Sequence, residues 1–161
     1  MVKSPLRYPG GKSKVAHKLV SLSEKSDYLV EPFVGGGSFF IEYLKKYPKT
    51  KVIISDKNRD LFCFWFSVIY NGNSLVDCVK DAFYSKNLYN SPEKFYRYWK
   101  QEIVQVNHIV SAVRFFVLNR ITFSGTTDSG GFSNQCFNKR FTRSSIDRLQ
   151  YVVEFLKDKD I

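Results

Sequence analysis

The spacing of apolar residues along this chain changes twice, and each change marks a different kind of element. Val15, Leu19, Val20 and Leu22 fall on one helical face and predict a helix over residues 12–22. Tyr28-Leu29-Val30 is a short run of strand formers that stops at Glu31-Pro32-Phe33-Val34-Gly35-Gly36-Gly37, after which Ser38 opens an apolar-periodic segment through Leu44. Lys51-Val52-Ile53-Ile54-Ser55 reads as a second strand, with Asp56 at its carboxyl end and a helix from Asn58 to Tyr70 behind it. A β-α-β-α order implies a parallel sheet with right-handed crossovers, hence an α/β fold.

Past Asn71 no strand pattern appears, and apolar residues recur at helical spacing over 74–84, 92–105 and 108–119. Ile121 to Thr142 is then rich in Ser, Thr, Gly and Asn, with Phe123, Phe132, Phe137 and Phe141 interleaved among basic side chains, and reads as a basic, aromatic loop. A final helix over Ser144–Leu156 leads to Lys157–Ile161, where another strand begins as the chain stops. The expected organisation is therefore 1–72 as a ligand-binding α/β part, 73–143 as a helical insertion with its loop, and 144–161 as the return to the first part.

Composition narrows the partners. With 161 residues and 43% hydrophobic content the chain is long enough to bury a core. A formal net charge of +10 attracts polyanions, and nucleic acid is favoured over membrane because the longest apolar run, Phe62–Tyr70, falls far short of the ~20 residues a spanning helix needs. The amino terminus carries no apolar signal-like stretch, so a cytoplasmic location is expected. Cys63, Cys78 and Cys136 are widely spaced and read as reduced, while His17 and His108 have no partner at metal-ligand spacing, so neither a disulfide nor a metal is expected.

The candidate chemistry lies at the ends of the two strands. A glycine run between strand and helix lets a ligand approach the backbone and the helix amino terminus, although alone it is more often a plain turn. Asp56 raises its weight: an acid about twenty residues beyond such a loop, at the end of the next strand, is where ribose hydroxyls are held, and helix capping is the competing role. Gly11-Lys12-Ser13 superficially suggests a triphosphate loop, but Leu6 stands where that loop needs its first glycine and no buried strand precedes it.

Four ordered motifs together resemble the Dam-like family of adenine-specific DNA methyltransferases. They are Leu6-Arg7-Tyr8-Pro9-Gly10-Gly11-Lys12, Val30-Glu31-Pro32-Phe33-Val34-Gly35-Gly36-Gly37-Ser38, Ser55-Asp56-Lys57-Asn58-Arg59-Asp60-Leu61 with Phe64-Trp65, and Leu118-Asn119-Arg120-Ile121-Thr122-Phe123-Ser124-Gly125. The resemblance implies a Rossmann-like S-adenosyl-L-methionine (SAM)-dependent methyltransferase sheet, here incomplete, carrying a helical target-recognition insertion. It implies that Tyr8, Lys12, Glu31, Phe33, Gly35, Gly37 and Asp56 border the cofactor. For Tyr8 and Lys12 the resemblance is the sole ground. Double-stranded DNA is the implied partner, with contacts expected from Asn119, Arg120, Asn134, Asn138, Lys139, Arg140 and Arg143.

The sequence departs from that family at one decisive place. Its prolines are 5, 9, 32, 48 and 92, so no Asp-Pro-Pro-Tyr motif exists among these residues to clamp a flipped adenine, and no catalytic residue is assigned. The expectation is an amino-terminal portion, inactive alone, completed by the missing segment or by a second polypeptide carrying it. The alternative readings are a non-catalytic nucleic-acid-binding module, in which the glycine loop is only a turn, and a decayed fragment.

Overall fold

The computed structural model describes residues 2–101 and 107–161. The elements run α1 (Ala16–Leu22), β1 (Tyr28–Glu31), α2 (Ser38–Lys46), β2 (Lys51–Ile54), α3 (Arg59–Tyr70), α4 (Gly72–Ser85), α5 (Pro92–Lys100), α6 (His108–Ile121), α7 (Asn134–Lys139) and α8 (Arg143–Leu156). β1 and β2 pair in parallel, Tyr28 opposite Lys51 through Glu31 opposite Ile54. The α/β expectation is met in a small two-stranded sheet surrounded by helices, which fits part of a methyltransferase fold.

Amides of β2 point alternately to its two edges, as a strand requires. The Lys51 N–H donates to Asp27 O on the β1 side, and the Val52 N–H donates to Asp160 O, 2.8 Å away, on the other. The end of the chain therefore lies along β2, where a further strand was expected to begin. Leu29 and Ile54 pack on the core and Val52 is buried within it. The alternate positions Tyr28, Val30 and Ile53 are all more than half exposed, so one apolar face of the sheet lies open.

The core centres on α3 against α6. Phe64 stacks on Phe116 at 6.0 Å and 7° and meets Trp65 edge-on at 5.2 Å, while Trp65 also meets Phe40 of α2 edge-on. Helix α6 is buried from Phe115 to Ile121 without interruption, which suits its nearly continuous apolar sequence. Helix α4 packs on both α6 and α8, so one hydrophobic cluster runs from the sheet through the insertion to the last helix.

Local chemistry sets the boundaries. The side chains of Asn58, Ser91 and Asn107 cap α3, α5 and α6, Pro92 occupies the first turn of α5, and Thr142 with Ser145 forms a capping box on α8. Two expectations need correction. The helix expected from residue 12 starts at Ala16, because Lys12–Val15 form a turn in which the Lys12 carbonyl accepts from Val15 and Ala16 N–H. The stretch 121–142 is not all loop: Ser133 accepts from the Cys136 N–H and caps α7, which buries Cys136 and Phe137. The helix expected over 92–105 is described as far as Lys100, and 102–106 lie outside the described residues.

Phe64 of α3 is fully buried against Phe115 and Phe116 of α6. Phe64→Ala is expected to lower unfolding free energy by about 3–5 kcal/mol, read as a lower midpoint in urea with unchanged slope. A loss under about 1 kcal/mol would mean that the α3–α6 contact is not the core's centre.

Candidate cofactor site and nucleic-acid face

Because β1 and β2 end in register, the chain leaves both strands side by side. The Ser55 N–H donates to Glu31 O and the Val34 N–H donates to Ser55 O, so the two exits are laced together. The glycine loop follows. Gly35 and Gly37 have φ of +49° and +69°, and a Cβ on Gly37 would lie 2.4 Å from the Trp65 ring. Only glycine brings the amino end of α2 this close to α3.

Asp56 joins the loop to the second strand. Its Oδ2 accepts from the Gly35 N–H and its Oδ1 from the Asn58 N–H, each at 3.0 Å. The Trp65 indole donates to Gly35 O at 2.9 Å, so Gly35 is gripped from both sides. Each Asp56 oxygen keeps acceptor capacity beyond these bonds, which a pair of hydroxyls can use. Beside it, a cavity of about 270 Å³ opens between β2 and α3, lined by Val34, Ser55, Asp56, Phe62 and Trp65 among others.

The other expected cofactor residues divide. Tyr8 lies over the glycine loop: a Cβ on Gly35 would meet its ring at 3.1 Å and one on Gly36 would meet its Cβ at 3.0 Å. Burial first, then the Asp56 and Asp128 carboxylates, push the Tyr8 phenol up. Glu31 accepts from the Phe40 N–H at 3.2 Å within the first turn of α2. Phe33 projects from the loop and is 78% exposed. Lys12 is exposed and donates to Gly10 O, reaching none of the other site residues by a hydrogen bond.

The leader that carries Tyr8 is held by residues assigned otherwise from sequence. The Arg7 N–H donates to Asn119 Oδ1 at 3.0 Å, while Asn119 Nδ2 donates to Arg7 O at 2.7 Å and Gly125 O at 3.0 Å. Ser4 donates to Gly36 O. Asn119 is thus buried and committed to backbone groups, which corrects its expected place on a DNA-facing surface. Arg120 is corrected likewise. It is 3% exposed, sits over the Phe116 ring at 5.1 Å, and leaves Nε and Nη2 without partners. Burial first, then Arg148, Arg7 and Arg140, pushes its guanidinium down to about 9.

Asn134, Asn138, Lys139, Arg140 and Arg143 are exposed, as a binding face requires. Three are partly engaged within the fold: Asn138 Nδ2 donates to Asn134 O and Oδ1, and Arg143 donates to the Tyr84 hydroxyl. Lys139, Arg140 and Arg7 converge on a hollow of about 120 Å³ that also includes Phe123, itself 70% exposed. Arg7 and Phe123 were not among the expected site residues, although both stand inside motifs quoted above. Among the described residues no group of three His, Cys, Asp or Glu is placed to hold a metal, and all three cysteines are free. No described helix is long and apolar enough to cross a membrane.

The sequence signature of the D12 class N6 adenine-specific DNA methyltransferases matches residues 8–161. The chain belongs to that family. It is 27% identical over 136 residues to the Type II methyltransferase M.MjaIII of Methanocaldococcus jannaschii, covering 77% of this chain and 47% of that protein. It is 27% identical over 122 residues to the DNA adenine methylase of Haemophilus influenzae and 28% identical over 120 residues to that of Escherichia coli, covering 74% of this chain and 41% of each of those proteins. The chain therefore spans less than half the length of these relatives. Membership in a methyltransferase family implies a methyl donor.

Burial pushes the Glu31 carboxyl up from its ordinary 4.5 to about 7, partly opposed by the Phe40 N–H. A carboxyl with a raised folded-state pKa favours the protonated fold, so its contribution is full below 4.5 and lost as pH rises through about 7. Wild-type stability is expected to fall across that window, and Glu31→Gln is expected to flatten the fall. Urea midpoints at pH 5 and pH 8 measure this; parallel losses in both proteins would assign the pH dependence to other groups.

Proposed function

We propose that this chain forms the SAM-binding and DNA-reading portion of a methyltransferase acting on the exocyclic amine of adenine in duplex DNA. The observation that carries the reading is the Asp56 carboxylate bonded to the Gly35 amide at the carboxyl ends of two parallel strands. Open α/β sheets place ligands there. Asp56 holds the ribose hydroxyls, Gly35 and Gly37 admit the ligand to the backbone, Tyr8 and Glu31 border it, and the apolar wall of Val34, Phe62 and Trp65 suits an adenine ring. Lys12 and Phe33, both exposed, close over the site from its rim. SAM supplies the transferable methyl group when bound.

Residues 1–72 and 144–161 form the cofactor part in this reading, and 73–143 recognise DNA. Lys139, Arg140 and Arg143 take phosphates, and Asn134 and Asn138 present the paired donor and acceptor that adenine edges need. The acceptor clamp is outside these 161 residues, which contain no Pro-Pro pair. A segment carrying Asp-Pro-Pro-Tyr, in the same chain or a second polypeptide, would cover the edge of β1 away from β2 and the open face of Tyr28, Val30 and Ile53. Methyl transfer depends on holding the amine in line with the methyl carbon, so these residues alone bind cofactor without turning it over.

Three measurements test the reading. Titration calorimetry should show SAM binding, weakened roughly 10- to 100-fold by Asp56→Ala, since a charge-assisted bond contributes about 1.5–3 kcal/mol; no heat at millimolar protein and cofactor would remove the site. Duplex affinity should fall steeply as salt rises, and a flat response would exclude phosphate contacts as its main source. Labelled-methyl incorporation into adenine-containing duplex should be absent for the 161-residue chain, and turnover abolished by Asp56→Ala would place an acceptor clamp within it.

A further inference from the structure

The loop between the turn at Phe123–Gly125 and α7 reaches toward the cofactor end of the sheet, and its position is fixed from two sides. On one side stands α5. Tyr96 and Lys100, four residues apart and so on one helical face, both grip the loop backbone. The Tyr96 hydroxyl donates to Gly130 O at 3.3 Å, and Lys100 Nζ donates to Thr127 O at 2.8 Å and Asp128 O at 2.6 Å. The loop folds back tightly on itself at Gly130, where a Cβ would lie 2.1 Å from Thr126 O.

On the other side stands the start of α3. Asn58 Nδ2 donates to Asp128 Oδ2 at 3.4 Å, Asn58 Oδ1 caps α3 by accepting from the Leu61 N–H, and the Asn58 N–H donates to Asp56 Oδ1. Asp56 in turn holds the Gly35 amide. The hydrogen bonds therefore run without a gap from the last turn of α5, through Asp128, Asn58 and Asp56, to the glycine loop. Asn58 is the hinge of this chain, because the same side chain that meets Asp128 also fixes where α3 begins.

We propose that Lys100 is a positioning residue for the cofactor site, acting from the helical insertion through Asp128 and Asn58 on the Asp56 carboxylate. Lys100 touches no cofactor-site residue itself. A lysine gripping two adjacent carbonyls sets the loop, the loop sets the Asp128 carboxylate, and that carboxylate orients the Asn58 amide whose backbone orders Asp56. The same links give a nucleic acid lying on the insertion a physical route to the cofactor loop. The inference rests on the proposed function, since it requires that Asp56 hold SAM.

The test is titration calorimetry of SAM into wild type, Lys100→Met, Lys100→Arg, Asp128→Ala and the Lys100→Met/Asp128→Ala pair, each with its thermal midpoint. Residues in one hydrogen-bond network couple energetically, and Lys100→Met, acting through two intermediates, should weaken SAM roughly three- to tenfold. Lys100→Arg, which can still donate to both carbonyls, should bind within about twofold of wild type. The double variant should bind no more weakly than the weaker single variant. Unchanged SAM affinity in Lys100→Met, equal losses in Lys100→Met and Lys100→Arg, or additive losses in the pair would overturn the proposal. If Lys100→Met does not fold, Asp128→Ala decides, because Asp128 is exposed: weaker SAM at an unchanged thermal midpoint supports the link, and unchanged affinity overturns it. Wild type that binds no SAM refutes the proposed function and this inference together, whereas normal wild-type binding with unaltered variants refutes only the latter.

Discussion

The contact between the Gly35 amide and the Asp56 carboxylate holds together two loops that would otherwise diverge, and the rest of the site is arranged around it. Parallel pairing delivers the two loop origins side by side, but pairing alone fixes only the strands. A glycine loop with two positive-φ residues is flexible unless its polar groups are engaged, and Asp56 and the Trp65 indole engage both the N–H and the C=O of Gly35. Trp65 belongs to the core through Phe40 and Phe64, so the loop inherits the rigidity of the hydrophobic cluster. A ligand at this place meets a loop already ordered and avoids much of the cost of ordering it.

The amino-terminal leader depends on a second polar device. The leader buries Pro5 and packs Val2, Leu6 and Tyr8 against the core, and Tyr8 covers the glycines, but these few apolar contacts leave its backbone groups to be matched. Asn119 supplies the anchor, matching the donor and acceptor of the Arg7 peptide as a neighbouring strand would. Its place in the buried helix α6 ties the leader to the core and to the turn at Gly125 at once. Arg120, one residue on, shows the cost of the same neighbourhood: its guanidinium is buried among cations with unmatched donors, and its charge is disfavoured accordingly.

The legible part of the fold was the part governed by period. The runs 28–31 and 51–54, the helices around them and the insertion all follow from apolar spacing, and the glycine loop with Asp56 follows from its place between them. What sequence hid was direction. Asn119 and Arg120 read as surface contacts because they are polar, yet α6 is buried without interruption from Phe115 to Ile121 and takes both inside. Helix α7 was hidden because six residues give too few turns for a period to register. The links through Asn58, Asp128 and Lys100 join residues 28 and 70 positions apart with nothing in their spacing to announce them.

Charge is distributed unevenly over this net +10 chain, and the unevenness separates two kinds of ligand. Asp56 and Asp128 stand near the ends of the strands, linked through Asn58, and their carboxylates favour a cationic small molecule there. Arg7, Lys139, Arg140 and Arg143 gather around α7 and the start of α8, where the opposite holds. Screening over about 8–10 Å at ordinary ionic strength keeps these fields local, so each is felt by what lies against it and little by what lies against the other. A cation and a polyanion are therefore favoured at different surfaces of one small fold. The aromatic Phe123 stands exposed on the basic side, beside Arg7 of the same leader that lays Tyr8 over the glycine loop, so the two surfaces meet along a single stretch of chain.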